Sequence, residues 1–220
     1  MLAVVALAWA SLGFASLSGL GAWLGHGHLI KSGLPASVVI LSFLVGWLVM
    51  LMAMMLPTIP RGRLSLAFAV GFLWIWTGFG LAALLFDVGI HWSVDHSSWL
   101  RLHVWVIQTG LFAAAGAYQV SSVKRFFLQR CLAGAASIRM REGWMAGALS
   151  VGCCWALMLT AFAAGMTQFG WMVGLTLAMI AEREPRRARY IASLVGIVLL
   201  ALAAGLCVAS QWGSPTLLGT

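Results

Sequence analysis

The chain has 220 residues, of which 62% are hydrophobic and only 8% charged, with a mean hydropathy of +1.00. A water-soluble domain of this size carries about 25% charged residues to keep its surface wet, so the composition excludes a soluble enzyme or binding module and points to an integral membrane protein. The net charge of +8 falls in short connections, where basic residues orient helices and meet anionic lipid, and so does not mark a nucleic-acid surface.

In chain order there are seven apolar segments, at approximately 2–24, 36–57, 64–86, 102–121, 144–165, 168–181 and 190–210. Crossing a hydrocarbon core of about 30 Å takes about 20 helical residues. Continuous apolar runs of this kind differ from the roughly 10-residue alternating strands of a barrel. The predicted fold is therefore all-α: a polytopic membrane bundle of about seven transmembrane helices, in one domain over residues 1–220. The first segment lacks a basic leading region, since the first basic residue is Lys31, and is read as a retained helix rather than a cleaved signal. The fifth and sixth are separated only by the region from Gly165 to Gln168 and make a hairpin. The sixth is short, and can tilt, lie partly buried or fail to span.

Charge orients this bundle. The connections 58–63, 122–143 and 182–189 hold Arg61, Arg63, Lys124, Arg125, Arg130, Arg139, Arg141, Arg183, Arg186, Arg187 and Arg189, leaving only Lys31 and Arg101 of the 13 basic residues for the other side. The positive-inside rule then predicts a cytoplasmic N-terminus and a periplasmic C-terminus in a bacterial inner membrane.

The same topology gathers the histidines outside. His26 and His28 fall in the first outer connection, His91 and His96 in the second beside Asp87 and Asp95, and His103 opens the fourth segment. Imidazole suits copper, zinc, iron or nickel, so these residues can form a metal-collecting mouth. They can equally decorate a wet interfacial loop, as Trp92, Trp99 and Trp105 do.

Methionine clusters at the end of the second segment, VMLMAMMLP, with Met50, Met52, Met54 and Met55 ahead of Pro57. Met50 and Met54 share a helix face, and their thioethers are soft ligands suited to Cu(I). Methionine is also an adaptable filler of apolar gaps, so packing is the competing reading. The fifth segment contains GCCWALM, Gly152 to Met158. Helix geometry puts Cys154 and Met158 on one face and turns Cys153 about 100° away, so the adjacent cysteines cannot readily chelate one ion together. Cys153 would serve another neighbour or pack. Counted from the cytoplasmic ends, Cys154 lies roughly 15 Å and Met50 roughly 10 Å into the membrane, so the two sulfur sets occupy overlapping depths. Gly143, Gly147 and Gly152 supply a small-residue face that lets another helix approach. The remaining cysteines form no zinc-type pair, since Cys131 is on the cytoplasmic connection and Cys207 in the last helix, and no disulfide is expected on this topology.

Four blocks, MMLP at 54–57, AYQVSSVKRFFLQRCL at 117–132, GCCWALM at 152–158 and GMTQFGWM at 165–172, resemble in order a bacterial family of predicted metal-binding integral membrane proteins linked to polyphenol oxidase biosynthesis, with a proposed membrane copper-chaperone role. The resemblance runs from about Trp47 to the last helix. It implies copper as the ligand, a cuproenzyme as a possible recipient, and functional weight on Met54, Met55, Pro57, Tyr118, Gln119, Lys124, Cys131, Cys153, Cys154, Met158, Met166, Met172 and Glu182. The family usually has a further cysteine shortly after the lysine; here that region reads KRFFL, with Phe126 and Phe127. A thiol pair between that position and Cys131 is therefore not expected.

The favoured reading is a non-enzymatic membrane protein that binds Cu(I) through Met50, Met54, Met55, Cys153, Cys154 and Met158, for copper delivery or homeostasis. Met166, Met172 and the five histidines are secondary candidates. The alternative is a non-catalytic accessory subunit of a larger membrane complex, which small outer loops and external tryptophans also suit. A haem protein would want histidines at matching depths in facing helices, and a serine hydrolase a G-x-S-x-G elbow; neither pattern occurs.

Overall fold

A computed structural model of the chain describes residues 2–18, 35–59, 65–133, 139–164 and 168–211. Among these residues every regular element is helical. The order is α1 (Leu2–Leu17), α2 (Ala36–Met54), a 3-10 turn (Leu56–Thr58), α3 (Leu66–His96), α4 (Ser98–Leu102), α5 (Trp105–Val120), α6 (Ser122–Ala133), α7 (Met140–Ala164), α8 (Phe169–Ala181) and α9 (Ala188–Gln211). A helix satisfies its backbone hydrogen bonds internally, and that is what an apolar sequence without alternating polarity requires.

Each of the seven apolar segments contains a helix. Among the described residues, four helices are long and apolar enough to cross a membrane: α2 with its 3-10 turn, α3, α7 and α9. The helices of the first and sixth segments are shorter, and the fourth segment divides into the end of α4 and the 16-residue α5.

Two connections expected as loops are helical instead. Residues 87–96, which carry Asp87, His91, Asp95 and His96, continue α3. Polar residues end the apolar run there, yet no proline breaks the helix, and Asp87 and His91 pair across one turn at 3.6 Å. Residues 122–133 form α6, a short helix with Lys124, Phe127, Leu128 and Cys131 turned inward and Arg125, Phe126, Gln129 and Arg130 exposed. Inward residues at i, i+3, i+4 and i+7 make one helical face. The turn from α5 into α6 is fixed by Ser121, whose hydroxyl donates to the Tyr118 carbonyl (2.7 Å) and accepts from the Lys124 N–H (3.1 Å).

Glycine decides which helices touch. Gly143 and Gly147 of α7 lie against the Phe68 and Phe72 carbonyls and the Ile75 side chain of α3, and Gly71 of α3 returns the approach to Met140 and Trp144. The α7 glycine face therefore meets α3, and a side chain at either end would meet backbone. Gly116 and Gly196 bring α5 onto α9 in the same way. Gly80 makes room for the Trp47 indole, whose Nε1–H donates to the Trp76 carbonyl at 3.0 Å. Helix α8 packs against α1, α2, α7 and α9, and α3 packs against α2 and α7, so α3 and α8 connect the methionine-bearing helix to the cysteine-bearing one.

Candidate metal centre

The last two turns of α2 bury Trp47, Met50, Leu51 and Met54, and Met55 caps the helix before Pro57 redirects the chain. On α7, Cys153, Cys154 and Met158 are buried, and on α8 Met172 and Met179, seven residues apart on one helix face, are buried as well. All of these side chains belong to one continuous apolar core. Met50, Met54, Met158 and Met172 are each 0% exposed, so these thioethers are shielded from the surface of the molecule.

A polar clamp holds the cysteine-bearing turn of α7 from outside this core. Tyr118 donates its hydroxyl to the Gly152 carbonyl, with its ring edge-on to Trp155 at 4.9 Å. The Lys124 Nζ donates to the Cys153 carbonyl at 2.6 Å and to Glu182 Oε2 at 2.7 Å. Gln119 Nε2 donates to Glu182 Oε1 at 2.7 Å. Lys124, Glu182 and Gln119 are all buried to 1% exposure or less. Charges removed from water persist only when paired and hydrogen-bonded, and here each partner comes from a different element: α5, α6, α7 and the turn after α8. Burial opposes the Lys124 ammonium, but the neighbouring Cys154, Glu182 and Cys153 outweigh it and hold its pKa above the ordinary lysine value.

The two adjacent cysteines meet different neighbours. Cys153 interacts through its thiol with Cys131 of α6, which in turn interacts with Arg183. Folding 122–133 into a helix places Cys131 on the same face of α6 as Lys124. The hydrogen bond from Cys153 and the nearby Arg183 guanidinium hold the Cys131 thiol below its ordinary pKa despite partial burial. Phe127, at the position where KRFFL departs from the expected pattern, packs its ring against Gly152.

The histidines are arranged otherwise. His91, His96 and His103 each turn Nδ1 toward the backbone carbonyl four residues earlier, of Asp87 (3.0 Å), Trp92 (2.8 Å) and Trp99 (2.8 Å). The His103 ring stacks on Trp99, and the His96 ring lies tilted against Trp92. His26, His28 and Met166 lie outside the described residues. Among the described residues, no three His, Cys, Asp or Glu side chains converge closely enough to hold a metal ion.

Fold and site together define a protein that is all-helical among the described residues, with apolar helices of membrane-spanning length and buried Met and Cys side chains in one core. The chain belongs to the PpoB2 copper-chaperone family, whose model matches residues 44–206. That span takes in Met50 through Glu182 and every clamp residue. No curated protein and no solved structure matches the chain.

The clamp was only partly visible in sequence. Tyr118, Gln119, Lys124 and Glu182 stood out through family resemblance, without a role. Arg183 and the Cys131–Cys153 contact were missed. The signal that could have found them is the inward stripe of α6, which ends on Cys131.

Proposed function

We propose that this protein carries Cu(I) on methionine and cysteine sulfur inside a seven-span helical bundle of the bacterial cytoplasmic membrane, and delivers it to a cuproenzyme. The bundle has its N-terminus and its arginine-rich connections on the cytoplasmic side and its C-terminus in the periplasm. Membership of a copper-chaperone family supports the cargo. The observation that carries the ligand assignment is the burial of Met50, Met54, Met55, Cys153, Cys154 and Met158 in one core, with Met172 beside them.

Thiolate and thioether ligands select soft Cu(I) over harder ions. Exchange of one sulfur for the next lets the ion move with no change of oxidation state and no catalytic step by the protein. Burial of these side chains shields Cu(I) from bulk water during that passage. The polar clamp keeps the Gly152–Cys154 turn in place while its sulfurs bind and release.

The test is copper content after purification in mild detergent under reducing, anaerobic conditions. Cys154→Ser and Met158→Leu are expected to lower the bound copper and to reduce activation of a co-expressed cuproenzyme. Wild-type copper content and unchanged activation in both variants would reject the ligand set.

A further inference from the structure

Two hydrogen-bond donors in the core make no use of their protons. Among the described residues, the Ser150 hydroxyl of α7 and the Trp76 indole N–H of α3 have no hydrogen-bond partner, at 1% and 0% exposure. We propose that Ser150 is a positioning residue for Cu(I): its hydroxyl, together with the Trp76 N–H, donates to the Cys154 sulfur when that sulfur holds the ion. This rests on the copper-carrying reading above and adds the groups that tune its Cys154 ligand.

Both donors depart from the usual arrangement of these groups in the chain. Ser11, Thr77, Ser93, Thr160, Thr176 and Ser210 each donate to a carbonyl three or four residues earlier in their own helix, at 2.7 or 2.8 Å. That bond is open to a helical serine, and Ser150 does not make it. Trp9, Trp47 and Trp171 likewise donate to the Ala53, Trp76 and Thr160 carbonyls, at 3.1, 3.0 and 3.3 Å. A buried donor without an acceptor destabilises the fold, so two of them in one core mark a place where an acceptor arrives.

Position supplies that acceptor. Ser150, Cys154 and Met158 recur every four residues along one stripe of α7, and all three are buried. Cβ atoms four residues apart on a helix are about 5–6 Å apart, and each side chain leans toward the preceding turn. Cys154 therefore extends toward Ser150. Helix α3 brings Trp76 to the same level. Phe68 and Phe72 of α3 lie against Gly143 and Gly147 of α7, so the two helices run in the same direction. One turn further along each stand Trp76 and the Ser150–Val151 pair. The Trp76 carbonyl is tied at 3.0 Å to the indole of Trp47, which stands one turn from Met50 on α2. Because α3 packs against both α2 and α7, Trp76 lies between the methionine and the cysteine helices.

Loading changes what the sulfur can accept. Cu(I) binding at Cys154 breaks the S–H bond and makes a Cu–S bond. The proton leaves with the ligand that gave up the ion or passes to solvent, and no electron moves. A thiol sulfur is a weak acceptor, whereas a metal-bound thiolate carries negative charge that donors stabilise. Hydrogen bonds to a metal ligand also fix its orientation and tune the affinity. The two donors are thus destabilising in the metal-free protein and satisfied in the loaded one, which gives Ser150 opposite effects in the two states.

The experiment uses the full-length protein in detergent, reduced and anaerobic. Cu(I) affinity is read by competition against a chromogenic chelator, and stability by thermal melting of the metal-free form. Ser150→Ala is expected to weaken Cu(I) binding about ten-fold. Its metal-free form should melt at or above the wild-type temperature, since the change removes an unpaired donor and alanine favours the helix. Trp76→Phe, which drops the N–H and keeps an aromatic ring, is expected to weaken Cu(I) binding as well. Ser210→Ala, whose hydroxyl already bonds the Cys207 carbonyl, should leave the affinity unchanged. Cu(I) held by Ser150→Ala as tightly as by the wild type would overturn the positioning role and spare the sulfur ligands. A metal-free Ser150→Ala protein that melts well below the wild type would make the serine a packing residue and overturn the role too. Wild-type protein that takes up no Cu(I) would overturn the copper-carrying reading together with this one.

Discussion

Lys124 is a lysine with no water to face, and its pairing dictates how it responds to mutation. Removing one member of a buried ion pair leaves the other charge unsatisfied and costs on the order of 3–5 kcal/mol, whereas replacing both by apolar residues is often near neutral. Lys124→Met is therefore expected to lower the melting temperature in detergent sharply, because Glu182 keeps only its Gln119 partner. The double variant Lys124→Met/Glu182→Leu should recover much of the loss. Equal damage in the single and double variants would contradict the clamp. At this scale the sequence was readable for the sulfurs and silent on their neighbours. Cys154 and Met158 share a face by helix geometry alone, whereas Glu182 meets Lys124 across 58 residues, a contact that no local pattern encodes.

Among the elements, the α3–α7 contact is the tightest. At Gly143 an added Cβ would meet the Phe68 backbone, and at Gly71 the Met140 carbonyl, atoms that cannot move without shifting a helix. Gly143→Leu is expected to separate α3 from α7 and abolish recovery of monodisperse protein on size exclusion. Gly78→Ala and Gly174→Ala face open space and should be neutral or stabilising by about 0.5–1 kcal/mol, since alanine loses less backbone freedom than glycine in a helix. A Gly143→Leu protein that is as well folded as these controls would rule out the close contact. The small-residue pattern at 143 and 147 was legible as a packing face, but its partner was not, because apolar helices offer no polar face to orient them. Helix α6 was hidden for the opposite reason: its basic residues read as a connection, and only the inward spacing of Lys124, Phe127, Leu128 and Cys131 distinguishes it.

For the whole molecule, composition and the length of the apolar runs pointed to membrane-length helices, and among the described residues all seven apolar segments hold helices although four reach spanning length by themselves. The proposed orientation makes a further prediction. Single cysteines introduced at Arg125 and Arg186 in a cysteine-free background should react with a membrane-impermeant maleimide only in inverted vesicles, and one at Ser98 only in intact spheroplasts. The reverse pattern would invert the bundle. The account as a whole depends on sulfur-bound copper, so its most direct test is the metal content of the purified wild-type protein beside the Cys153→Ser/Cys154→Ser double variant, both shown to be folded by size exclusion. Copper on the wild type that is largely lost from the double variant is the result expected here, and a wild type without copper, or a double variant that keeps it all, would contradict it.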